Sequence, residues 1–309
     1  MQHITSEDFH FRNTAVALGK FEGVHLGHQL LLDKITRKTR SFYTSVVFTF
    51  DRNPAQFFSG AEHFRQICTR EERKKILEER GIDVLIEYPF TREFAGMTPD
   101  KFVKRILVGK LGARVIVVGT DFRFGKDRQG DVDTLRYLAE DCDYELVVMD
   151  KLKNEGEDVS STRIRQALEQ GRMEEASELL GRPYSIEGTV IHGKALGRKL
   201  GIPSANLSLD KDKYIPPHGV YVTTTMIDGV PVAGVTNIGY RPTVDMSGGE
   251  NVETHFLDYE GDLYGKELWI DFLHYLRPEQ KFDSVEILKE QMEKDTGAAR
   301  EYISRQEGL

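Results

Sequence analysis

The apolar pattern of this chain changes character once, near Gly181-Arg182-Pro183. Before that point, β-branched and aliphatic runs alternate with segments of helical spacing. Residues 14–19, 44–50, 82–88, 114–119 and 144–149 read as strands, and residues 25–40, 70–80, 98–107 and 131–140 as helices. This α/β rhythm builds a parallel sheet covered by helices, and such sheets bind ligands beyond the carboxyl ends of their strands. A helix pair over 162–180 ends the first half. Beyond Tyr184 the strand patterns are short and broken by Gly and Pro: 185–192, 219–227, 230–237, 251–258 and 267–275. Ile227-Asp228-Gly229-Val230 carries a two-residue hairpin turn. Such a run of strands predicts an antiparallel barrel or sandwich, closed by a helix over 284–305. Two domains are therefore expected, 1–182 and 183–309, and 309 residues are enough to give each its own core.

Charge and cysteine usage narrow the function classes. Acidic residues outnumber basic ones, 50 to 42, for a net charge of -8, so the bulk charge gives no footing for nucleic acid. Anionic substrates must then meet local positive sites. Apolar runs such as Val115 to Val118 are strand-sized, far short of the roughly 20 residues that span a bilayer. The polar amino terminus lacks the pattern of a secretory signal. Cys68 and Cys142 lie far apart and fit no zinc spacing. A cytoplasmic protein without membrane or nucleic-acid partners is expected; the oligomeric state has no signature in the sequence.

The first chemical constellation is Gly19-Lys20-Phe21-Glu22-Gly23-Val24-His25-Leu26-Gly27-His28, where the first strand hands over to the first helix. Glycines allow a tight turn and a close backbone approach to a ligand. The free N–H groups and dipole of the helix that follows form a phosphate seat, which both histidines can face. Zinc is a weaker reading, because no third ligand is placed.

This pattern resembles the HxGH nucleotidyltransferases. Its Gly-x-Phe-(Asp)-Gly-x-His-x-Gly-His form is similar to the amino-terminal module of the bacterial bifunctional riboflavin kinase/FAD synthetases. Thr120-Asp121-Phe122-Arg123-Phe124-Gly125 with Arg128-Gln129-Gly130-Asp131-Val132 resembles that module's second motif, and Ser160-Ser161-Thr162-Arg163-Ile164-Arg165 its third. Glu22 stands in place of the family's Asp, and Asn53 in place of a common His. The resemblance implies a Rossmann-like domain that adenylylates FMN with ATP. It makes His25 and His28 catalytic, and assigns phosphate binding to Gly19, Phe21, Gly27, Ser160, Ser161, Thr162 and Arg165. It assigns flavin binding to Asn53, Asp121, Arg123 and Phe124.

The second half carries the other module of the same family. Gly188 to Lys194 approaches a P-loop, but Ala195 lacks the hydroxyl that would hold magnesium and no helix pattern follows. The next stretch, Gly197-Arg198-Lys199-Leu200-Gly201-Ile202-Pro203-Ser204-Ala205-Asn206, resembles the riboflavin kinase signature, with Ser204 keeping the hydroxyl of its Thr. The segments at Gly219-Val220-Tyr221, Thr236 to Thr243, Val252 to Asp258, Asp262 to Gly265 and Leu276 to Phe282 follow in the family's order. The resemblance implies a six-stranded barrel that phosphorylates riboflavin with ATP. Gly193, Gly197, Arg198, Gly201, Ser204 and Asn206 would hold the nucleotide, with Ser204 and Asn206 on Mg2+. Asn237 and Arg277 would hold the flavin, and Glu253 would be the base. Alternation puts Glu253, His255 and Leu257 on one face, and an apolar Leu257 there implies that Glu253 is sheltered from water. Trp269 reads as core or flavin-adjacent packing, core ahead of the other. Two alternatives stand beside this reading: a kinase joined to a silent adenylyltransferase relic, motivated by Glu22 and Asn53, and a flavin-sensing regulator without turnover.

Overall fold

The computed structural model describes residues 1–39, 42–59, 64–192, 203–240 and 250–307. The chain divides into two compact units, Met1–Ser161 and Thr162–Leu309.

The first unit is built on a six-stranded parallel sheet in the order β1-β4-β3-β2-β5-β6. The strands are β1 (Gln2–Ile4), β2 (Thr14–Leu18), β3 (Thr44–Phe50), β4 (Val84–Tyr88), β5 (Ala113–Gly119) and β6 (Glu145–Met149). Central β2 is buried along its whole length, as expected of a strand covered on both faces. Helix α1 (Leu26–Thr39) packs on β2, β3 and β5. On the other face Val16, Val46, Phe48, Ile86, Ile116 and Val118 meet Phe102, Val103, Ile106, Leu107, Leu135 and Leu138. Short helices α2 (Pro54–Ser59), α3 (Arg70–Glu79) and α4 (Arg92–Ala95) lie between β3 and β5. The helix expected over 98–107 begins as α5 (Pro99–Lys101) and continues to Lys110 with the wider π hydrogen-bonding pattern. Helix α6 (Val132–Cys142) starts on an Asp131–Thr134 capping box. A two-stranded arm, β7 (Lys153–Asn154) with β8 (Glu157–Asp158), follows β6.

The second unit holds a closed antiparallel barrel in the order β10-β13-β12-β11-β14-β9. Its strands are β9 (Tyr184–Ile191), β10 (Ser204–Leu209), β11 (Gly219–Ile227), β12 (Val230–Tyr240), β13 (Glu250–Phe256) and β14 (Glu267–Pro278). Strands β1 and β10, like the short β7 and β8, add to those expected from the apolar pattern. Asp228 and Gly229 join β11 to β12 with φ of 50° and 84°, both positive as a type I′ turn requires. Tyr221 and Phe272 pack edge to face inside the barrel. A thread of hydroxyls runs beside them: Thr223 to Thr236 and Thr236 to Thr254, each at 2.8 Å and fully buried. The buried Thr225 Oγ1 has no partner among the described residues.

Helix α7 (Ser161–Glu169) leads to α8 (Met173–Leu180), which packs on β9 and β14 and buries Met173, Ala176, Leu179 and Leu180. Between the two helices Gly171, at φ +70°, lies so close to Tyr275 that a Cβ would stand 3.3 Å from its ring. The last helix, α9 (Val285–Glu307), lies on β11 and β12, where Ala299 meets Val222 and Leu257.

Two sequence readings change here. Leu257 lies past the end of β13, in the cluster under α9, so it says nothing about the face that Glu253 shares. Trp269 of β14 is half-buried opposite Glu187 of β9, on the alternation opposite the core residues Leu268 and Ile270.

Candidate active sites

In the parallel sheet the strand order reverses at β2, with β3 on one side and β5 on the other. Both β2 and β5 end on the same edge, so the loop from Gly19 and the loop from Thr120 emerge side by side. A crevice at such a reversal is where doubly wound folds bind ligands.

The first loop is strained. Phe21 and Val24 adopt left-handed backbone with φ of 49° and 45°, and Gly23 sits at 76°. For a buried β-branched valine this is a rare conformation, of a kind that concentrates at ligand sites. It leads directly into α1, whose first turn brings the two histidines together. Their rings stack 3.7 Å apart at 21°, with the Phe21 ring 5.1 Å from His28. Glycine at position 27 leaves room for the His25 ring, which a Cβ there would approach to 3.2 Å. The backbone N–H of His28 donates to His25 Nδ1 at 3.3 Å, which leaves the proton of a neutral His25 on Nε2. His28 Nδ1 is buried without a partner among the described residues. Burial first, and the neighbouring His25 second, hold the His28 imidazole well below the usual histidine pKa.

The third motif joins this loop directly, as Ser161 Oγ donates to the Glu22 carbonyl at 3.1 Å. Ser160 is half-buried just ahead of it, and Thr162 is exposed one residue on. Arg163 is held by Glu175 at 3.0 Å, and the Arg165 guanidinium lies 5.6 Å over the Tyr214 ring.

The expected flavin residues of this unit divide. Asp121 stands just past β5, exposed, with Lys151 at 3.3 Å. Arg123 is 3.7 Å from Asp131. Asn53, beyond β3, accepts from the Ala55 N–H at 3.0 Å and so caps α2. Phe124 is a core side chain, packed on Phe102 and stacked on Phe122.

In the barrel, register organises the site. Asn206 on β10 pairs with Glu253 on β13, Glu253 with Asn237 on β12, Asn237 with Val220 on β11, and Val220 with Arg277 on β14. Directly opposed residues point to the same side of a sheet, so these residues form one rung. Its neighbours Val252 and Thr254 face inward, which turns the rung to the outside of the barrel. Glu253 accepts a hydrogen bond from Ser204 Oγ. Arg277 is bound at two nitrogens by the buried Asp295 of α9, at 2.9 and 2.7 Å. Glu279, which the sequence reading did not single out, fills the space above Gly239, where a Cβ would meet its Oε1 at 2.3 Å and the Asn237 amide at 3.3 Å. Gly193, Gly197, Arg198 and Gly201 lie outside the described residues.

A strained glycine-rich loop at a sheet reversal, ahead of a barrel whose outer rung aligns a carboxylate with two amides, defines a two-module nucleotide-dependent transferase. The FAD synthetase family profile matches residues 8–163 and the riboflavin kinase profile residues 180–303. A bifunctional riboflavin kinase/FMN adenylyltransferase of Listeria monocytogenes is 34% identical over 98% of this chain and 97% of its own length. The enzyme of that name from Pseudomonas fluorescens is 37% identical over 94% and 93%. Among solved structures, one titled a macrolide-efflux protein from Streptococcus pneumoniae superposes with a TM-score of 0.87 at 31% identity, covering 97% of this chain and 99% of that one. Among the described residues no helix is long and apolar enough to cross a membrane. The chain belongs to the family of bifunctional riboflavin kinase/FMN adenylyltransferases.

Proposed function

We infer that this chain makes flavin cofactors in two steps. Its barrel phosphorylates riboflavin with ATP to FMN, and its parallel-sheet unit adenylylates FMN with ATP to FAD, releasing pyrophosphate. The observation that carries the reading is the emergence of both histidines and Asp121 from neighbouring strand ends, with Ser161 tied to the same first loop. We assign adenylyl transfer to residues 1–182 and phosphorylation to 183–309.

The two chemistries ask for different groups. In FAD formation a phosphate oxygen of FMN, already anionic, attacks the α-phosphorus of ATP, so no strong base is required. The positive end of the α1 dipole, the Nε2–H of His25 and the enclosed His28 suit an anion that gains charge there. The family resemblance assigns phosphate binding also to Ser160, Ser161, Thr162 and Arg165. In FMN formation a neutral ribityl hydroxyl must lose its proton as it attacks the γ-phosphorus. Glu253 is the carboxylate for that work, and its bond from Ser204 holds it in one orientation. Asn237 and Arg277, on the same rung, are assigned to the flavin.

Ser204 and Asn206 offer neutral oxygens beside a carboxylate. That donor set fits Mg2+, which keeps most of its ligands as water and phosphate oxygen. Among the described residues there is no cluster of three or more His, Cys, Asp or Glu side chains that would hold a metal by protein alone. The ion, when bound with ATP, would neutralise phosphate charge.

The test is to incubate the purified protein with riboflavin, ATP and Mg2+ and separate the flavins by chromatography. FMN and FAD together are expected. FMN alone would select the silent-relic alternative, and neither product the regulator.

A further inference from the structure

Lys151 belongs to none of the motifs, yet it reaches two of the segments that carry them. It follows β6 by two residues, on the edge where β5 delivers Asp121. Its Nζ lies 3.3 Å from Asp121 and 3.1 Å from Asp158. Asp158 sits on β8 of the short arm, which Glu155 and Gly156 turn through positive φ of 52° and 85°. The next residue, Val159, closes the arm by donating to the Leu152 carbonyl at 2.8 Å. Ser160 and Ser161 come next, and Ser161 is bonded to Glu22 in the histidine loop. One ammonium thus ties the second motif to the segment that carries the third.

The charge balance gives this tie a purpose. Lys151, Asp121 and Asp158 sum to one negative charge, and without the lysine to two. FMN and ATP are both polyanions, and they must meet beside Asp121. A bare carboxylate pair would repel them. A carboxylate pinned by an ammonium is instead a fixed hydrogen-bond acceptor, suited to the neutral N–H and O–H groups of a flavin.

We propose that Lys151 is a positioning residue for FAD formation: it holds the Asp121 carboxylate in place and cancels its charge as FMN enters. This rests on the reading of the first unit as the FMN-adenylylating site.

The experiment uses the full chain with FMN, ATP and Mg2+, and measures kcat and KM for FAD formation at low and high salt. Lys151→Met is expected to raise KM for FMN by about fivefold to tenfold at low salt, the effect of one partly screened charge a few ångströms away. The rise should shrink at high salt, and kcat should fall less. Lys151→Arg should restore most of the affinity. The melting temperature should hold, because these ion pairs are exposed. In Asp121→Asn there is no carboxylate at 121 for Lys151 to hold, so adding Lys151→Met should weaken FMN by less than it does in the wild type, only Asp158 then being left unpaired. Multiplying losses in that double variant would mean that Lys151 acts without Asp121 and would overturn the proposal. So would a KM unchanged in Lys151→Met, or a loss that tracks a fallen melting temperature. A wild-type chain that makes no FAD would overturn the reading of the site and this inference together. A wild type that makes FAD beside an unimpaired Lys151→Met would overturn the inference alone.

Discussion

Cutting the chain at the activity border should cost the barrel much of its stability. Helix α8 lies before residue 183, yet it packs on β9 and β14. Met173, Leu179 and Leu180 are at most 1% exposed, and Ala176 is fully buried. Each large apolar side chain buried in this way contributes about 1.5–3 kcal/mol. Three of them give about 5–9 kcal/mol, and a domain this size has about 5–15 kcal/mol in all. The Glu174–His274 pair at 2.6 Å adds little, being exposed. A fragment of 162–309 keeps the helix and should unfold in one cooperative transition. A fragment of 183–309 uncovers the barrel wall and should unfold at a much lower urea concentration, or be partly unfolded in water. The assay is urea unfolding of both fragments by far-ultraviolet circular dichroism, with riboflavin phosphorylation measured alongside. Equal midpoints would refute the reasoning, since they would mean that the α8 contacts carry no net stability.

Three further outcomes follow from named groups. Glu253→Gln keeps the shape and a carbonyl for Ser204 but removes the base, so FMN formation should drop about a hundredfold to ten-thousandfold while FAD formation from supplied FMN survives, as product ratios on chromatography will show. His28 is held neutral in the folded protein, so the unfolded chain takes up its proton first: stability should be full above about pH 6.5 and fall as pH drops from there, and His28→Gln should flatten that part of a urea-midpoint profile. Thr236→Val orphans the hydroxyls of Thr223 and Thr254 in the barrel interior and should destabilise by about 1–3 kcal/mol for each group left unpaired, read from thermal unfolding.

What was legible in the sequence tracks how far each feature is local. Ala15–Leu18 of β2 and Val115–Val118 of β5 are unbroken apolar runs, buried on both faces, so their positions and the motifs at their ends could be read directly. Strand β1 is three residues long, and only its pairing with β4 makes Gln2-His3-Ile4 a strand. Strand β10 hid inside a segment read as a signature loop, although Ala205 and Leu207 alternate with Ser204, Asn206 and Ser208 as an inward face should. The π pattern over Phe102–Lys110 changes hydrogen-bond partners, not the residues that face the core, so periodicity saw a helix and not its kind. The rung from Asn206 to Arg277 depends on four strand registers at once, none of them local. Phe124 shows the reverse case: a residue carried over by motif as a flavin contact whose ring is part of the core. Lys151 had no signal in the sequence, because its partners come from separate turns.

The threonine thread inside the barrel bears on how this interior can change over generations. Valine has the shape of threonine, so an all-valine interior would pack about as well. The order of replacement matters: a valine at Thr236 strands the hydroxyls on either side of it, whereas a valine at Thr223 or Thr254 leaves the other two bonded to each other. Thr236 is therefore expected to be kept for as long as either partner is, with Thr223 or Thr254 free to change before it. Thr225, which spends no bond on the thread, stands outside that bargain and should drift to valine first.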